Sequence, residues 1–206
     1  MKKLLAFSLF ILLLAACSPQ AAPPPVVATE APLATDVPPT EVPPTEAPTA
    51  EPPAGDLTLT SERFTEGQPI PEKYTCDDQN VSPALAWTRP PRGTETLALI
   101  MDDPDAPVGT WVHWVLYNIP ADVTSLPDVL PGQGGIAYVG NHGINTAGNT
   151  YYEGPCPPSG THRYFFKFYA LDTALDFASS PDAAELTAAM QGHILAETQL
   201  MGTYAR

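Results

Sequence analysis

Proline placement constrains this chain more than any other feature. Of its 26 prolines, 12 fall between Ser18 and Asp56, a stretch that also holds six acids and neither lysine nor arginine. VPPTE at 37–41 repeats at once at 42–46 and decays into APTAE at 47–51. Proline removes a backbone donor and fixes φ, so no helix or central strand propagates through such a run. The stretch lacks aromatic residues and has few large aliphatics, so it cannot bury enough surface to offset its chain entropy. It is expected to be a disordered, semi-stiff spacer of polyproline II character, reaching at most on the order of 120 Å at about 3.1 Å per residue. A packed core must therefore be sought in Leu57 to Arg206, 150 residues, which suits one domain.

The other flank of the spacer is of a third kind. Met1-Lys2-Lys3 is basic, and Leu4 to Ala16 is an apolar run broken by one serine, too short to span a bilayer comfortably. It closes on Leu14-Ala15-Ala16-Cys17, which resembles the lipobox of a bacterial lipoprotein. The expectation is a signal peptide at 1–16, cleavage before Cys17, acylation of that cysteine, and a linker over 17–56. Acyl chains on one residue add their burial energies, so the anchor would be stable. The domain would then stand outside the cytoplasm, on the cell membrane or an outer membrane.

Residues 57–206 carry 17 acidic and 7 basic side chains. Nucleic-acid binding asks for basic stripes, so that class is set aside; acid excess here serves solubility. With Cys17 acylated, Cys76 and Cys156 remain. Outside the cytoplasm two remaining thiols are expected to pair, closing a long loop worth on the order of 4 kcal/mol in the chain-entropy account. Two buried thiols are the alternative.

Strand patterns dominate the domain. Leu57–Thr60 alternates, Ala84–Thr88 follows the turn residues Asn80-Val81-Ser82-Pro83, and TLALIM at 96–101 reads as a buried strand. WVHWVLYNI at 111–119 is rich in β-branched and aromatic residues; alternation places His113, Val115 and Tyr117 on one face, Trp114 and Leu116 on the other. Gly132–Thr150 reads as loop and YFFKFYAL at 164–171 as a further strand. After Ser180-Pro181, the spacing of Leu186, Met190 and Ile194 predicts one long helix over about 181–199. Strands first and one clear helix last argue a β-rich α+β fold with a mixed or antiparallel sheet and peripheral helices, a C-terminal one included. There is no Gly-rich phosphate loop and no nucleophile elbow.

Two segments carry candidate chemistry. DDPDAP at 102–107 follows a strand directly, and Pro104 and Pro107 stiffen it so that its carboxylates project from a fixed loop. GPCPPSGTHRY at 154–164 is a rigid irregular run delivering His162 and Tyr164 to one face of a strand and Arg163 to the other, where it is expected to clamp an acid. An isolated Asp-Pro-Asp is a turn as readily as a site. Three aspartates and two histidines also suit a metal, but proline spacing is not a ligand signature, so no metal and no cofactor are expected. A triad of Asp103, His113 and Ser159 is a further alternative, weakened because Ser159 sits in turn residues. His142 and His193 are expected to be structural or solvent-facing.

Together, DPDAP, the histidine–tryptophan pair at 113–114 and GPCPPSGTHRY resemble the signature blocks of the phosphatidylethanolamine-binding protein family, also called the Raf kinase inhibitor protein family, in its bacterial form. YTCDDQNVSPALAW at 74–87, NIP at 118–120 and LMGTYAR at 200–206 are similar as well. Asp78 stands where the family commonly has glycine, and the segment after Asn145 lacks its usual aromatic residue. The resemblance implies a central antiparallel sheet packed on a second, smaller sheet, and an anion pocket at one sheet end. By motif, Asp103, Asp105, His113, Gly154, Pro155, His162 and Tyr164 are expected to line it. Histidine N–H groups and the Tyr164 hydroxyl would donate to phosphate or carboxylate oxygens. Neighbouring carboxylates would favour imidazolium, and an aspartate would accept from an ammonium group. The implied partner is a small anion or phosphorylated headgroup, with no catalytic role. Inhibition of a secreted protein such as a protease is the competing function.

Overall fold

A computed structural model describes residues 56–129, 135–136 and 139–206. The expected signal peptide, Cys17 and the linker up to Gly55 lie outside the described residues. Two antiparallel sheets form the domain. The smaller has three short strands in the order β1 (Leu59–Thr60), β2 (Leu85–Trp87), β5 (Ser125–Leu126). The larger has six, ordered β6 (Gly135–Ile136), β7 (Gly140–His142), β4 (Trp111–Pro120), β3 (Thr96–Asp103), β8 (Thr161–Leu171) and β9 (Ile194–Ala205). One helix, α1 (Ala183–Met190), is described.

Every residue of β3 is buried because both faces of its sheet are covered near it. Leu97, Leu99 and Met101 join Trp87, Leu126, Phe166 and Phe168 in the core between the sheets. Ala98 and Ile100 pack on the opposite side with Leu186 and Met190 of α1. A fully buried phenylalanine or leucine contributes about 1.5–3 kcal/mol. β8 shows strict alternation, with His162, Tyr164, Phe166, Phe168 and Ala170 buried and Arg163 exposed between them.

β4 does not alternate as expected. Met101 pairs with Trp114, but Asp102 pairs with Val112, so His113 is an extra residue in the ladder. Such a β-bulge re-aims the side chain it carries. Val115 and Tyr117 pack on the α1 side, whereas the His113 ring meets Tyr164 edge-on at 5.3 Å between centroids. His113 thus faces away from Val115 and Tyr117, contrary to the simple alternation.

The long C-terminal helix is also corrected. α1 begins at a capping box, with the Asp182 side chain accepting from the Glu185 N–H at 2.8 Å and Glu185 Oε2 accepting from the Asp182 N–H at 3.0 Å. It stops at Met190, and Gly192 adopts φ 83°, the left-handed conformation that ends helices. Residues 194–205 are strand, paired with β8 from Thr161↔Ala205 to Leu171↔Ile194. Ile194 extends the helical spacing of Leu186 and Met190 only by coincidence; it is exposed, while Leu200 and Gly202 face inward at the strand period. The stretch expected to be loop over 132–150 likewise holds β6 and β7, the sheet's edge.

Cys76 and Cys156 form a disulfide across 80 positions of sequence, with 5.4 Å between their Cα atoms. It ties the segment after the 3-10 turn at Glu72–Tyr74 to the proline-rich loop that precedes β8.

Candidate functional site

Asp103 ends β3 and His162 lies near the start of the neighbouring β8, so the turn chemistry of DPDAP and the proline loop meet at one end of the larger sheet. A cavity of about 270 Å³ opens there, walled by Asp103, His113, Glu153, Gly154, Cys156 and His162 and rimmed by Pro107, Val108, Trp111, Pro157 and Pro158. Val108 is 78% exposed, so one side of the mouth is apolar and open to solvent.

The buried end of the cavity is fixed by paired hydrogen bonds. Asp103 Oδ2 lies 2.7 Å from His162 Nδ1, and Oδ1 accepts from the Asp105 N–H at 2.8 Å. His113 Nδ1 lies 2.8 Å from the Glu153 carbonyl oxygen. A carbonyl only accepts, so this contact places the proton on Nδ1 and leaves Nε2 as the free ring nitrogen. Buried Asn145 braces the wall, its amide donating to the carbonyls of His113 and Tyr151 and to Glu153 Oε2, each at 3.3 Å.

Burial, more than any charge, sets the state of His113. It pushes the imidazole pKa below its usual value, against the opposing influence of the Glu153 carbonyl, Asp103 and Asp102. The expectation that carboxylates would hold this histidine as imidazolium is therefore corrected: desolvation wins. Burial also raises the Glu153 carboxyl pKa. Burial first, then the charge of Asp103, pushes the Tyr164 phenol well up; its hydroxyl is fully buried with no hydrogen-bond partner among the described residues. Among the described residues lining the cavity there is no lysine or arginine.

Of the residues expected at the site, Asp103, His113, Gly154 and His162 line the cavity. Tyr164 stands directly behind His113, and Pro155 shapes the wall, its carbonyl accepting from the Cys76 N–H at 3.1 Å. Asp105 is turned aside. Its carboxylate takes two guanidinium bonds from Arg163, at 2.8 and 2.7 Å, and the Arg163 backbone N–H at 3.0 Å. Arg163 is thus the clamp expected of it, and Asp105 its partner rather than a wall of the cavity. The triad alternative is not assembled: Asp103 bonds His162, His113 gives Nδ1 to a backbone carbonyl, and Ser159 is exposed in the loop. No group of three or more metal-ligating side chains occurs among the described residues. His142 is buried on β7 and accepts from Trp114 Nε1 at 3.3 Å; His193, in the turn after α1, lies 2.8 Å from Asp172. Trp111 and Glu153 were not anticipated at the site. Trp111 stands two positions before His113 and Glu153 directly before Gly154, so proximity to the recognised motifs was the available signal.

Residues 60–205 match the family described as phosphatidylethanolamine-binding protein. The chain belongs to the phosphatidylethanolamine-binding protein family. A UPF0098 protein of Methanothermobacter thermautotrophicus is 46% identical over 150 residues, which make up 73% of this chain and 99% of that protein. A UPF0098 protein of Chlamydia muridarum is 42% identical over 153 residues, 72% of this chain and 98% of that one. These relatives consist of little beyond the matched region, so the phosphatidylethanolamine-binding protein domain is a complete folding unit in them. The crystal structure of CT736, a phosphatidylethanolamine-binding protein homolog from Chlamydia trachomatis, superposes with a TM-score of 0.68 at 40% identity, covering 73% of this chain and 98% of the other. The crystal structure of Escherichia coli YbcL, a member of the same family, gives 0.67 at 31% identity, with coverage of 74% and 99%.

Proposed function

We propose that this protein binds a small anion or a phosphorylated headgroup in the cavity at the end of the larger sheet, while an N-terminal lipid holds it outside the cytoplasm. One observation carries the binding reading. Two buried histidines face one cavity, and the Nδ1 of each is already committed, His162 to Asp103 and His113 to a carbonyl. Their orientation is fixed before any ligand arrives, which removes ordering cost from binding. Each has Nε2 left for the ligand; on neutral His113 it carries no proton and accepts one from a protonated ligand oxygen or an ammonium. Among the described residues the wall has no lysine or arginine and does have Asp103 and Glu153. That balance favours a ligand whose anionic group is accompanied by an ammonium, as in phosphoethanolamine, over a bare dianion. The family's name is in keeping with this.

The test is a titration of residues 56–206 with phosphate, acetate and phosphoethanolamine, followed on histidine side-chain resonances. Shifts centred on His113 and His162, strongest with the zwitterion and lost in His162→Ala, support the reading. Silence with all three removes it.

The membrane reading rests on the basic start, the apolar run and Cys17 at its end. Growth with a labelled fatty acid should mark the protein, and Cys17→Ser should abolish the label. A labelled Cys17→Ser protein would reject the anchor.

A further inference from the structure

We infer that the Cys76–Cys156 disulfide is a redox gate on the cavity: the oxidised protein holds its anion, and reduction releases it. The inference rests on the anion-pocket reading above. Cys156 is exposed and forms part of the cavity wall. That wall has few other ties, because Pro155, Pro157 and Pro158 have no N–H to donate. The Cys76 N–H donates to the Pro155 carbonyl at 3.1 Å and the Gly154 N–H to Asn80 Oδ1 at 2.7 Å. Both bonds run to the segment that the disulfide holds, and just before them the Glu153 N–H donates to the His113 carbonyl at 3.1 Å. Breaking the bridge removes the covalent tie at Cys156 and leaves the wall on hydrogen bonds at its near end.

A second feature bears on the same bridge. Arg206 Nη1 donates to Cys156 Sγ at 3.4 Å. The arginine is itself fixed, by Asp77 at 2.9 Å and by paired backbone bonds to Gly160 at 2.9 and 3.2 Å. A guanidinium beside a sulfur stabilises its thiolate, and stabilising the reduced form makes a disulfide more oxidising. A dithiol reductant breaks the Cys76–Cys156 bond and is oxidised to its own disulfide. Cys76 takes up one proton as a thiol; Cys156 remains a thiolate beside Arg206, its proton going to solvent.

The two consequences act in one direction. Reduction loosens the wall and adds a negative charge to the lining of a cavity that takes anions. Binding of an anion and reduction of the bridge therefore oppose each other, and thermodynamic linkage makes the opposition mutual.

The experiment uses the domain of residues 56–206, phosphoethanolamine and dithiothreitol, with thiols counted by alkylation and mass spectrometry. The reduced form should bind phosphoethanolamine about tenfold more weakly or worse, within the usual range of coupling between sites. Saturating phosphoethanolamine should shift the reduction midpoint by the same factor. Arg206→Gln should keep the oxidised affinity and make the bridge harder to reduce. Equal phosphoethanolamine affinity in the two redox states overturns the gate while leaving the pocket intact. Absence of phosphoethanolamine binding to the oxidised domain overturns the pocket reading, and the gate with it. Collapse of amide dispersion on reduction also overturns the gate, since the bridge then holds the fold rather than the wall. An unchanged midpoint in Arg206→Gln overturns the thiolate argument.

Discussion

Asp103 holds His162 through one carboxylate oxygen, 2.7 Å from Nδ1, and the Asp105 backbone N–H through the other, at 2.8 Å. Both side chains are buried. The carboxylate is the meeting point of two loops far apart in sequence, and its two acceptors face two donors.

Asp103→Asn keeps an acceptor for the Asp105 N–H but turns an amide donor toward His162, which then has to carry its ring proton on Nε2. A charge-assisted bond is replaced by a neutral one, a loss of about 1 kcal/mol. Urea denaturation should show a lower midpoint at unchanged slope, and phosphate binding should weaken because His162 loses its charged partner. A variant matching the parent in both measurements would remove Asp103 from its assigned place.

The Asp105–Arg163 clamp makes a pH-dependent contribution. The hydrogen bond from Arg163 holds the Asp105 carboxyl down at about 2, from 3.8. A lowered acid pKa contributes stability above the unfolded value and loses it as pH falls toward the folded one. Asp105→Asn should therefore lower Tm by a constant amount above pH ~4, and the difference should close as pH approaches ~2. Both side chains are substantially exposed, at 29% and 52%, so solvent screening keeps the effect small. A gap that persists at the acid end would argue against the ion pair.

His113 acts with the opposite charge and the same direction in pH. Burial lowers its imidazole pKa, so the unfolded chain binds its proton more readily than the native one. Its contribution is complete above about pH 6.5 and declines as pH falls below that. Side-chain NMR should show His113 titrating below an unstructured histidine. In His113→Gln the corresponding slope of stability between neutral and mildly acid pH should flatten. Titration at or above the ordinary imidazole value would contradict the buried neutral state.

Gly154 fills a position with no room for a side chain. A Cβ there would lie 2.4 Å from the Tyr74 carbonyl oxygen and 2.7 Å from Asn80 Oδ1. Gly154→Ala must push the proline loop off its neighbour, at about 1–3 kcal/mol. Thermal denaturation should register the loss, and phosphate affinity should fall with it because the cavity wall moves. Exposed Gly109, which meets nothing within 4 Å, serves as the control for a glycine kept only by its φ of 100°.

The strands read at 96–101, 111–119 and 164–171 were legible because each is a strand-length run of apolar, β-branched or aromatic residues bounded by turn chemistry. The meeting of DPDAP with the proline loop was legible through motif resemblance, since no local pattern brings positions 59 apart into contact. Two misreadings share a cause. His113 looked like one more alternating residue until its register against β3 showed it as a bulge. Ile194 looked like one more helical turn until β8 claimed its strand. In both, the deciding hydrogen bonds come from a distant strand, and local periodicity does not record them. Gly192 was the available warning, a helix stop just before the misread stretch. Glu153 and Trp111 were missed for another reason: a lone carboxylate or tryptophan announces a pocket only once the opposite wall is known.

Three of the five residues from Gly154 to Pro158 are prolines, so most of one cavity wall contributes no peak to an amide spectrum. A ligand screen read only from backbone N–H shifts would register contacts with the histidine side and miss those with this wall. A compound resting solely on Pro157 and Pro158 would be scored as inert. Carbon-detected spectra or labelled proline rings would bring that half of the cavity into view.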